Sequence, residues 1–449
     1  MNFTDSIREN FNLCAKKLFQ HLHRDEQLML NLNAEQSTFV RWNKTLIRQN
    51  TNVHQVQLSL ELHKHGKTQK RSFSITGRSK EDVPFLLNQL SEMRLGFDLL
   101  PEDPHQIVLR NNGQSEVHPG KEELQNSPSL NTILHSIGLL AKNIDLAGLL
   151  CLGPLIQANK NSLGQDHWFA TVHFFFDYSI YDGTKAVKGN YSGKIWNDQD
   201  FLIQLKTNIQ YLNYMSAPIK KINPGRYKAY LAPSAVAEIC GLMSWGALSY
   251  HNYKTSTCAF KKLADQQKKL SNKLTLKENF SLGWSPRFNS LGELSQNQVT
   301  LIEQGQLKQF LVSAKSAKEF SAHCNHADPS EAPRSLEILP GHLQRDQIFA
   351  KLDTGLYLSD LHYLNWSDEA NARFTGMTRF ACFWIEKGQI VAPIQDMRFD
   401  DHLYNIFGIN LLEFTDFQQL MPEVGTYGQR STGAKNIPGL LLQEFNLTL

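Results

Sequence analysis

The chain has 449 residues, of which 41% are hydrophobic, so it is long enough to bury the cores of two or three domains, and general disorder is excluded. Lysine and arginine number 46 against 43 for aspartate and glutamate, and the net charge of +3 gives no support to a nucleic-acid partner. The six cysteines include no CxxC pair, which argues against a disulfide framework or a zinc ribbon and favours a reducing compartment.

The N-terminal segment MNFTDSIRENFNLCAKKLF carries scattered charges and lacks the apolar core of a secretory signal. The most apolar stretch, from Ile133 to Ile156, is interrupted by His135, Lys142 and Asp145, so no membrane span is predicted. We therefore expect a cytoplasmic protein that has no membrane partner.

The first segment has the pattern of a helix that packs on a sheet. Apolar residues at three- and four-residue spacing predict a first helix, capped by Asp5 or Ser6. Alternating apolar and polar residues then predict antiparallel strands within residues 28–62. A second helix is predicted after Ser79. These elements define a predicted N-terminal α+β domain, residues 1–105.

The middle segment, residues 106–222, is predicted to be a linker followed by a central α+β region. Residues 105–128 are polar and rich in turn formers, which is typical of a linker or a long surface loop. The elements predicted after it are a helix over 129–142, strands over 147–158 and 168–181, and a helix capped by Asn197 or Asp198. The aromatic strand 168–181 is interpreted as core and not as a stacking platform.

The remaining residues, 223–449, are predicted to form a larger domain. A strand over 226–231 and a helix over 234–249 precede many short strands, among them a hairpin that turns at Lys387-Gly388. Strands and helices do not alternate regularly, so the predicted class is α+β. We expect an N-terminal helix-plus-antiparallel-sheet domain and then a mainly antiparallel β domain with a few helices.

Three segments, in order and spacing, resemble the TldD/PmbA family. They are APSAVAEICGLMSWG at 232–246, GLYLSDL at 355–361 with FWIEKGQIVAPI at 383–394, and VGTYGQR at 424–430. The members of this family pair as a TldD subunit, which binds zinc through an HExxxH helix and a later cysteine, and a TldE (PmbA) subunit. The resemblance covers nearly the whole chain, although none of the three segments is diagnostic alone.

The resemblance implies a degenerate zinc motif. The two histidine positions are occupied by Ala237 and Leu242, the cysteine position by Tyr427, and Glu238 stands at the general-base position. Aliphatic side chains offer no lone pairs to a metal, and a phenol with a pKa of about 10 is a poor zinc ligand. Residues five apart on a regular helix point about 140° apart. We therefore expect a helix distortion, such as a π-bulge at Gly241.

By this resemblance the chain is expected to be a non-catalytic TldE/PmbA-like subunit of a metallopeptidase complex, which encloses unfolded or modified peptides. Zinc is expected in the TldD-like partner and not in this chain, so whether the chain itself is an enzyme is left open. The alternative is a homodimeric peptide-binding or scaffolding protein. A third hypothesis, a gyrase-associated regulator, has an older family description behind it and would require salt-dependent DNA binding.

Several other motifs have simpler interpretations. His323, Cys324 and His326 offer metal ligands, but their spacing matches no common zinc pattern and a solvated loop is favoured. Cys240 is interpreted as a core thiol and not as a nucleophile. The segment 428–436 is similar to a phosphate loop, but a flexible turn carrying Arg430 and Lys435 is favoured. The basic stretch 63–71 is interpreted as a solvated hairpin tip.

Overall fold

A computed structural model describes residues 2–120 and 129–449 and arranges them in two β-sheets and nine α-helices. The helices are α1 (Phe3–Gln20), α2 (Ser79–Leu95), α3 (Leu130–Leu140), α4 (Asp198–Tyr214), α5 (Pro233–Leu242), α6 (Tyr250–Lys254), α7 (Lys261–Ala264), α8 (Ala314–Phe320) and α9 (Ile348–Leu352). The predicted α+β class is confirmed: a helix-covered antiparallel sheet precedes a larger, mainly β unit.

The first sheet has seven strands in the order β3-β2-β1-β5-β6-β4, and β7 pairs with β6. They are β1 (Gln27–Asn43), β2 (Leu46–Lys64), β3 (Lys67–Ser74), β4 (Gln114–Val117), β5 (Asp145–Asn161), β6 (Asp166–Asp182) and β7 (Lys185–Gly193). All pairs are antiparallel except β4 with β6. Because β1 pairs with β5, the sheet joins strands from both sides of residue 105, and the predicted three-domain division stays a prediction.

Strand β6 is buried on both faces, which explains its run of aromatic residues. Phe174 and Phe176 point into the core beneath the helices, whereas Phe175, between them, lies beside buried Arg430 on the opposite face. On that opposite face, His173 also packs against Trp284 of the larger, mainly β unit, which we call the second domain. The sheet therefore lies between its own helices and the rest of the molecule, and the interpretation of this strand as core is confirmed.

Helices α1 and α2 cover one end of the sheet. Asn2, and not the predicted Asp5 or Ser6, caps α1, since its side chain accepts a hydrogen bond of 2.9 Å from the backbone N–H of Asp5. The buried face of α1 packs with that of α2 against leucines of β1 and β2. The apolar residues whose spacing predicted the first helix thus form its buried face, as expected of an amphipathic helix that packs on a sheet.

The polar segment predicted as a linker contains an element that its composition did not indicate. Strand β4 extends the sheet by pairing in parallel with β6, from Gln114 opposite Asp166 to Val117 opposite Phe169. The rest of the segment up to residue 120 is irregular, and 121–128 lie outside the described residues.

The second sheet has thirteen strands and is organised around β20. Its strands are β8 (Gly225–Leu231), β9 (Leu276–Asn279), β10 (Gln298–Glu303), β11 (Gln306–Leu307), β12 (Ser335–Ile338), β13 (Gly355–Leu358), β14 (Asp360–Asp368), β15 (Arg373–Arg379), β16 (Phe383–Glu386), β17 (Gln389–Pro393), β18 (Arg398–His402), β19 (Leu411–Pro422) and β20 (Ala434–Leu447). Strand β20 pairs with β8, β12, β18 and β19. The pairs β8–β13 and β12–β20 are parallel and the others antiparallel. The turn at Lys387-Gly388 joins β16 and β17 as predicted, and both residues have positive φ.

The helix that carries the family motif begins directly after β8 and is regular where a distortion was expected. Residues Pro233–Leu242 form an unbroken α-helix, so the predicted distortion at Gly241 is wrong. The irregularity begins directly after α5, as a π-helical segment Met243–Ala247 in which Gly246 has a φ of 97°. At that φ a side chain would be strained, so Gly246 is the residue that permits the bend.

The loop between β19 and β20 pins the two sheets together. Arg430 is only 4% exposed, and its guanidinium donates hydrogen bonds to Ser37 Oγ and to the carbonyls of Gly153 and His173. Its backbone N–H donates to Glu35. The interpretation of this segment as a flexible turn carrying Arg430 and Lys435 is therefore wrong at Arg430, because a buried guanidinium needs these acceptors and is held by them.

Among the helices that the structure describes, none is both long and apolar enough to cross a membrane.

Candidate functional site

A large cavity lies where the first sheet meets the second domain, and Glu238 faces into it. Its volume is about 1090 Å³, and strands β1, β2, β5, β6 and β7 form one wall while α5 and β14 form another. We call it the carboxylate cavity, after the carboxyl groups of Glu238, Asp360 and Asp177 that line it together with Lys188. Sequence analysis left open whether Glu238 lines a cavity, and the structure answers that it does.

Glu238 owes its position to the way α5 begins. The backbone N–H of Ala232 donates to Leu358 O, 2.9 Å away, and Pro233 occupies the first helical turn, which fixes the direction of the helix. The neighbours Ala237 and Ile239 are buried in the core of the second domain, whereas Glu238 is exposed. The helix thus directs the carboxylate of Glu238 into the cavity, while its neighbouring side chains are apolar and buried.

Asp360, the first residue of β14, is a buried carboxyl group in the cavity with a perturbed pKa. It is 8% exposed, and burial raises its pKa to about 6, helped by the negative charges of Glu238 and Asp177 and opposed by Lys188. Charge is disfavoured in a poorly solvated site, so this carboxyl group can gain or lose a proton close to neutral pH.

Asp177 and Lys188 form the opposite side of this charged cluster. They lie on the paired strands β6 and β7, and Asp177 Oδ1 is 3.8 Å from Lys188 Nζ. Burial nevertheless raises the pKa of Asp177. The cavity therefore offers three carboxyl groups and an ammonium group, which can bind amide N–H groups, ammonium groups or carboxylates of an extended peptide.

The residues aligned with zinc ligands do not meet around this cavity. Ala237 and Leu242 are buried, 8% and 2% exposed, in the hydrophobic core, while Tyr427 is fully exposed. Thr426, next to Tyr427, does line the cavity, so the β19–β20 loop reaches the same space as Glu238. Zinc needs three or four nitrogen, sulfur or oxygen donors at about 2.0–2.3 Å. These three positions do not fit that requirement.

Other candidates from the sequence fall elsewhere. Cys240 is buried and its pKa is raised to about 12 by burial, as expected of a core thiol. It lies beside a second, smaller cavity of about 560 Å³ on another side of α5. The basic stretch 63–71 forms the β2–β3 hairpin tip, although His63 within it is buried.

The sequence-proposed trio His323, Cys324 and His326 is only partly assembled. Cys324 and His326 come together with Glu293, a residue that the sequence analysis missed, whereas His323 is exposed and outside the group. Within the described residues this is the one set of three potential metal ligands whose donor atoms lie within 4.8 Å of one another. Hydrogen bonds to Cys324 and Glu293 raise the pKa of His326 to about 10.

The sequence analysis also missed Asp360, Asp177 and Lys188. Asp360 is the second residue after the wholly buried strand Gly355–Leu358, and a charged residue so close to the end of such a strand is a signal that could have been used. Asp177 and Lys188 carried no comparable signal, because their proximity depends on the register of β6 and β7.

Comparison with known proteins identifies the family. A family model described as the PmbA/TldA metallopeptidase C-terminal domain matches residues 224–448. The chain therefore belongs to the TldD/PmbA family. No curated protein gives a significant match.

Solved structures agree with this assignment at the level of the fold. TldE from Thermococcus kodakarensis is similar over 99% of this chain and 100% of that chain, with a TM-score of 0.75 and 15% identity. A proposed modulator of a DNA gyrase from Thermotoga maritima matches over 100% of both chains, with a TM-score of 0.72 and 13% identity. A second proposed gyrase modulator, from Bacteroides thetaiotaomicron, also matches over 100% of both chains, at 0.73 and 15%. Likenesses at such identities show a shared fold and not a shared activity.

Proposed function

We propose that this chain is a non-catalytic, cytoplasmic TldE/PmbA-like subunit that pairs with a TldD-like zinc metallopeptidase and helps to enclose an unfolded or modified peptide. The observation that carries the proposal is Glu238: it faces a large cavity at the family's general-base position, yet the side chains at the zinc-ligand positions are an alanine, a leucine and a solvent-exposed tyrosine. A general base without a metal-bound water has no nucleophile to activate in zinc peptidase chemistry.

The carboxylate cavity supports a role in holding a peptide. Its volume of about 1090 Å³ accommodates several residues of an extended chain, and both sheets supply its walls. Charged groups of both signs line the cavity, with Glu238 and Asp177 on the negative side and Arg41, Arg48 and Lys188 on the positive side, so it can bind both the amino and the carboxylate groups of a peptide. A folded protein domain is too large for this space, which agrees with unstructured peptides as the substrate class.

Exposed aromatic residues beside the cavity support pairing with another subunit. His362 and Thr426 line the cavity, and the residue after each, Tyr363 and Tyr427, is largely or fully exposed. Exposed aromatic side chains are enriched at protein interfaces, because they bury much area at a small entropy cost. We propose that these two tyrosines contact the partner subunit around the mouth of the cavity.

The pairing is tested by co-expressing the chain with the TldD-like protein encoded in the same genome. Size-exclusion chromatography with light scattering should give a complex that contains both chains. If the chain elutes as a homodimer while the TldD-like protein elutes separately, the pairing proposal fails and the homodimeric peptide-binding alternative is favoured.

A further inference from the structure

A second site, distant in sequence from the helix motif, is formed by two loops of the C-terminal domain. Cys324 and His326 lie after α8, and Glu293 lies in the loop between β9 and β10. His326 Nδ1 is 3.7 Å from Cys324 Sγ and 3.8 Å from Glu293 Oε1. Five of the six cysteines are buried, and Cys324 is the partly exposed one.

These separations are close to those around a bound zinc-type ion. Zinc binds sulfur at about 2.3 Å and nitrogen or oxygen at about 2.0–2.2 Å, so neighbouring ligands of a tetrahedral ion lie roughly 3.3–3.6 Å apart. The observed 3.7 and 3.8 Å require only small side-chain movements. A thiolate, an imidazole and a carboxylate together favour a borderline divalent ion such as Zn²⁺ over Mg²⁺ or Ca²⁺.

Hydrogen bonds hold the two loops and orient the ligands. Asn289 Nδ2 donates to Glu293 Oε2 at 2.9 Å and to the carbonyl of Ala327 at 3.0 Å, and Ser295 Oγ donates to the carbonyl of His326 at 3.0 Å. Such second-layer contacts fix ligand geometry before the metal arrives.

The cysteine and histidine are positioned by their own loop. The backbone N–H of His326, a residue with a φ of +62°, points at Cys324 Sγ over 3.3 Å and would stabilise a thiolate. Asn325 anchors the turn, because its side chain accepts from Val312 N and donates to Phe310 O. The left-handed backbone at His326 thus places the imidazole beside the sulfur.

We propose that Glu293, Cys324 and His326 bind one divalent ion of the zinc class. All three also line a cavity of about 460 Å³ under residues 106–112, so a fourth coordination position is open to water or to a group from a ligand. Binding joins the two loops through the three ligand side chains. The site departs from the sequence-based expectation that this chain carries no metal, but it is separate from the degenerate motif and gives the chain no peptidase centre.

The test is metal titration of the purified chain, reduced and stripped by a chelator, with Zn²⁺ followed by calorimetry and with Co²⁺ followed by thiolate-to-metal absorption. We expect one ion per chain and a Zn²⁺-dependent rise in Tm. Cys324→Ser and His326→Asn should abolish the cobalt band and most of the zinc affinity. Asn289→Ala, which removes the hydrogen bonds that orient Glu293 and join the two loops but leaves all three ligands in place, should weaken binding about 10–100-fold. His323→Asn, the matched control one residue from Cys324, should bind like the unsubstituted chain.

Absence of saturable binding would overturn the proposal, as would a single site that survives both Cys324→Ser and His326→Asn. An equal loss in His323→Asn would show that the trio suggested by spacing alone is the ligand set and would also overturn it. Tm without metal verifies that each variant is folded. Neither result bears on pairing with a TldD-like subunit, which is measured by co-elution.

Discussion

The buried carboxyl group of Asp360 makes the stability of the folded chain depend on pH. Its pKa of about 6 in the folded chain exceeds the ordinary 3.8, so between these values the folded state binds more protons than the unfolded state. The free energy of unfolding therefore falls as pH rises through this window. A group that is kept in a destabilising environment is a common feature of binding sites.

Asp360→Asn removes this ionisation while keeping the shape of the side chain. We predict that the variant gains stability relative to the unsubstituted chain as the pH rises from about 4 to about 7, because the penalty for burying a charge is then absent. Urea unfolding of both proteins at the two pH values measures the change. A difference in stability that is constant with pH, or that changes in the opposite direction, would contradict the raised pKa.

Arg430 also carries a buried charge, but its guanidinium donates three hydrogen bonds, and only its Nε has no partner among the described residues. Replacing it with methionine leaves the acceptors on Ser37, Gly153 and His173 without their donor. We predict a loss of about 1–3 kcal/mol in the free energy of unfolding. Urea unfolding tests this, with Arg24→Met as the control at an exposed arginine, where the change should stay within about 0.5 kcal/mol. Equal effects at both positions would mean that Arg430 does not pin the sheets.

At the scale of elements, helix α5 and the bend that follows it set the direction of Glu238. Gly246 has a φ of +97°, and a Cβ there would lie 2.1 Å from the side chain of Asn252. Gly241 sits in regular helix, and a Cβ added to it would meet no other atom within 4 Å. The two glycines can therefore be compared directly, because the backbone conformation requires glycine at 246 but not at 241.

We predict that Gly246→Ala lowers the free energy of unfolding by about 1–3 kcal/mol, because alanine is strained at this φ. Gly241→Ala should raise it by roughly 0.5–1 kcal/mol, since it reduces the flexibility of the unfolded chain and suits a helix. Denaturant titration of both variants provides the comparison. Destabilisation by Gly241→Ala together with a neutral Gly246→Ala would place the distortion where the sequence argument put it.

Elements with strong periodic patterns were predictable, and those set by distant partners were not. The spacing in α1 and α4 and the alternation in β6 predicted their types, since one face of each must be buried. Strand β4 has four residues, of which one is partly buried and three are exposed, so its pairing depends on the free edge of β6. The distortion was predicted within α5 because the positions aligned with the family's two histidines lie there. The positive φ of Gly246, which fixes the actual bend, cannot be read from the sequence.

The candidate site was predictable only where a motif marked it. Glu238 was found from the family motif, whereas Asp360, Asp177 and Lys188 join it through strand register that a single sequence does not reveal. Cys324 and His326 were noticed from their spacing, but Glu293 is 31 residues before Cys324 in the chain and reaches it only through the packing of two loops. The segment 428–436 was interpreted as a flexible turn, whereas the β19–β20 loop places Arg430 in the interior.

At the scale of the whole molecule, the two sheets enclose a cavity that opens beside Tyr363 and Tyr427. We predict that replacing both tyrosines with alanine weakens association with the TldD-like subunit by about 2 kcal/mol, as removal of interface aromatics commonly does. Binding is measured by calorimetry. Leu99→Ala, at a similarly exposed position after α2, should leave the affinity unchanged. An unchanged affinity in the double variant would remove these residues from the interface.

The central claim is that this chain provides walls around a peptide but no zinc peptidase centre. The most direct test is cleavage of an unstructured peptide by the Cys324→Ser chain, which lacks the proposed loop metal site, alone and after addition of the TldD-like subunit. We predict no cleavage by the isolated chain in the presence of zinc, and chelator-sensitive cleavage once the partner is added. Chelator-sensitive cleavage by the isolated chain, at a rate comparable with that of the pair, would contradict the account.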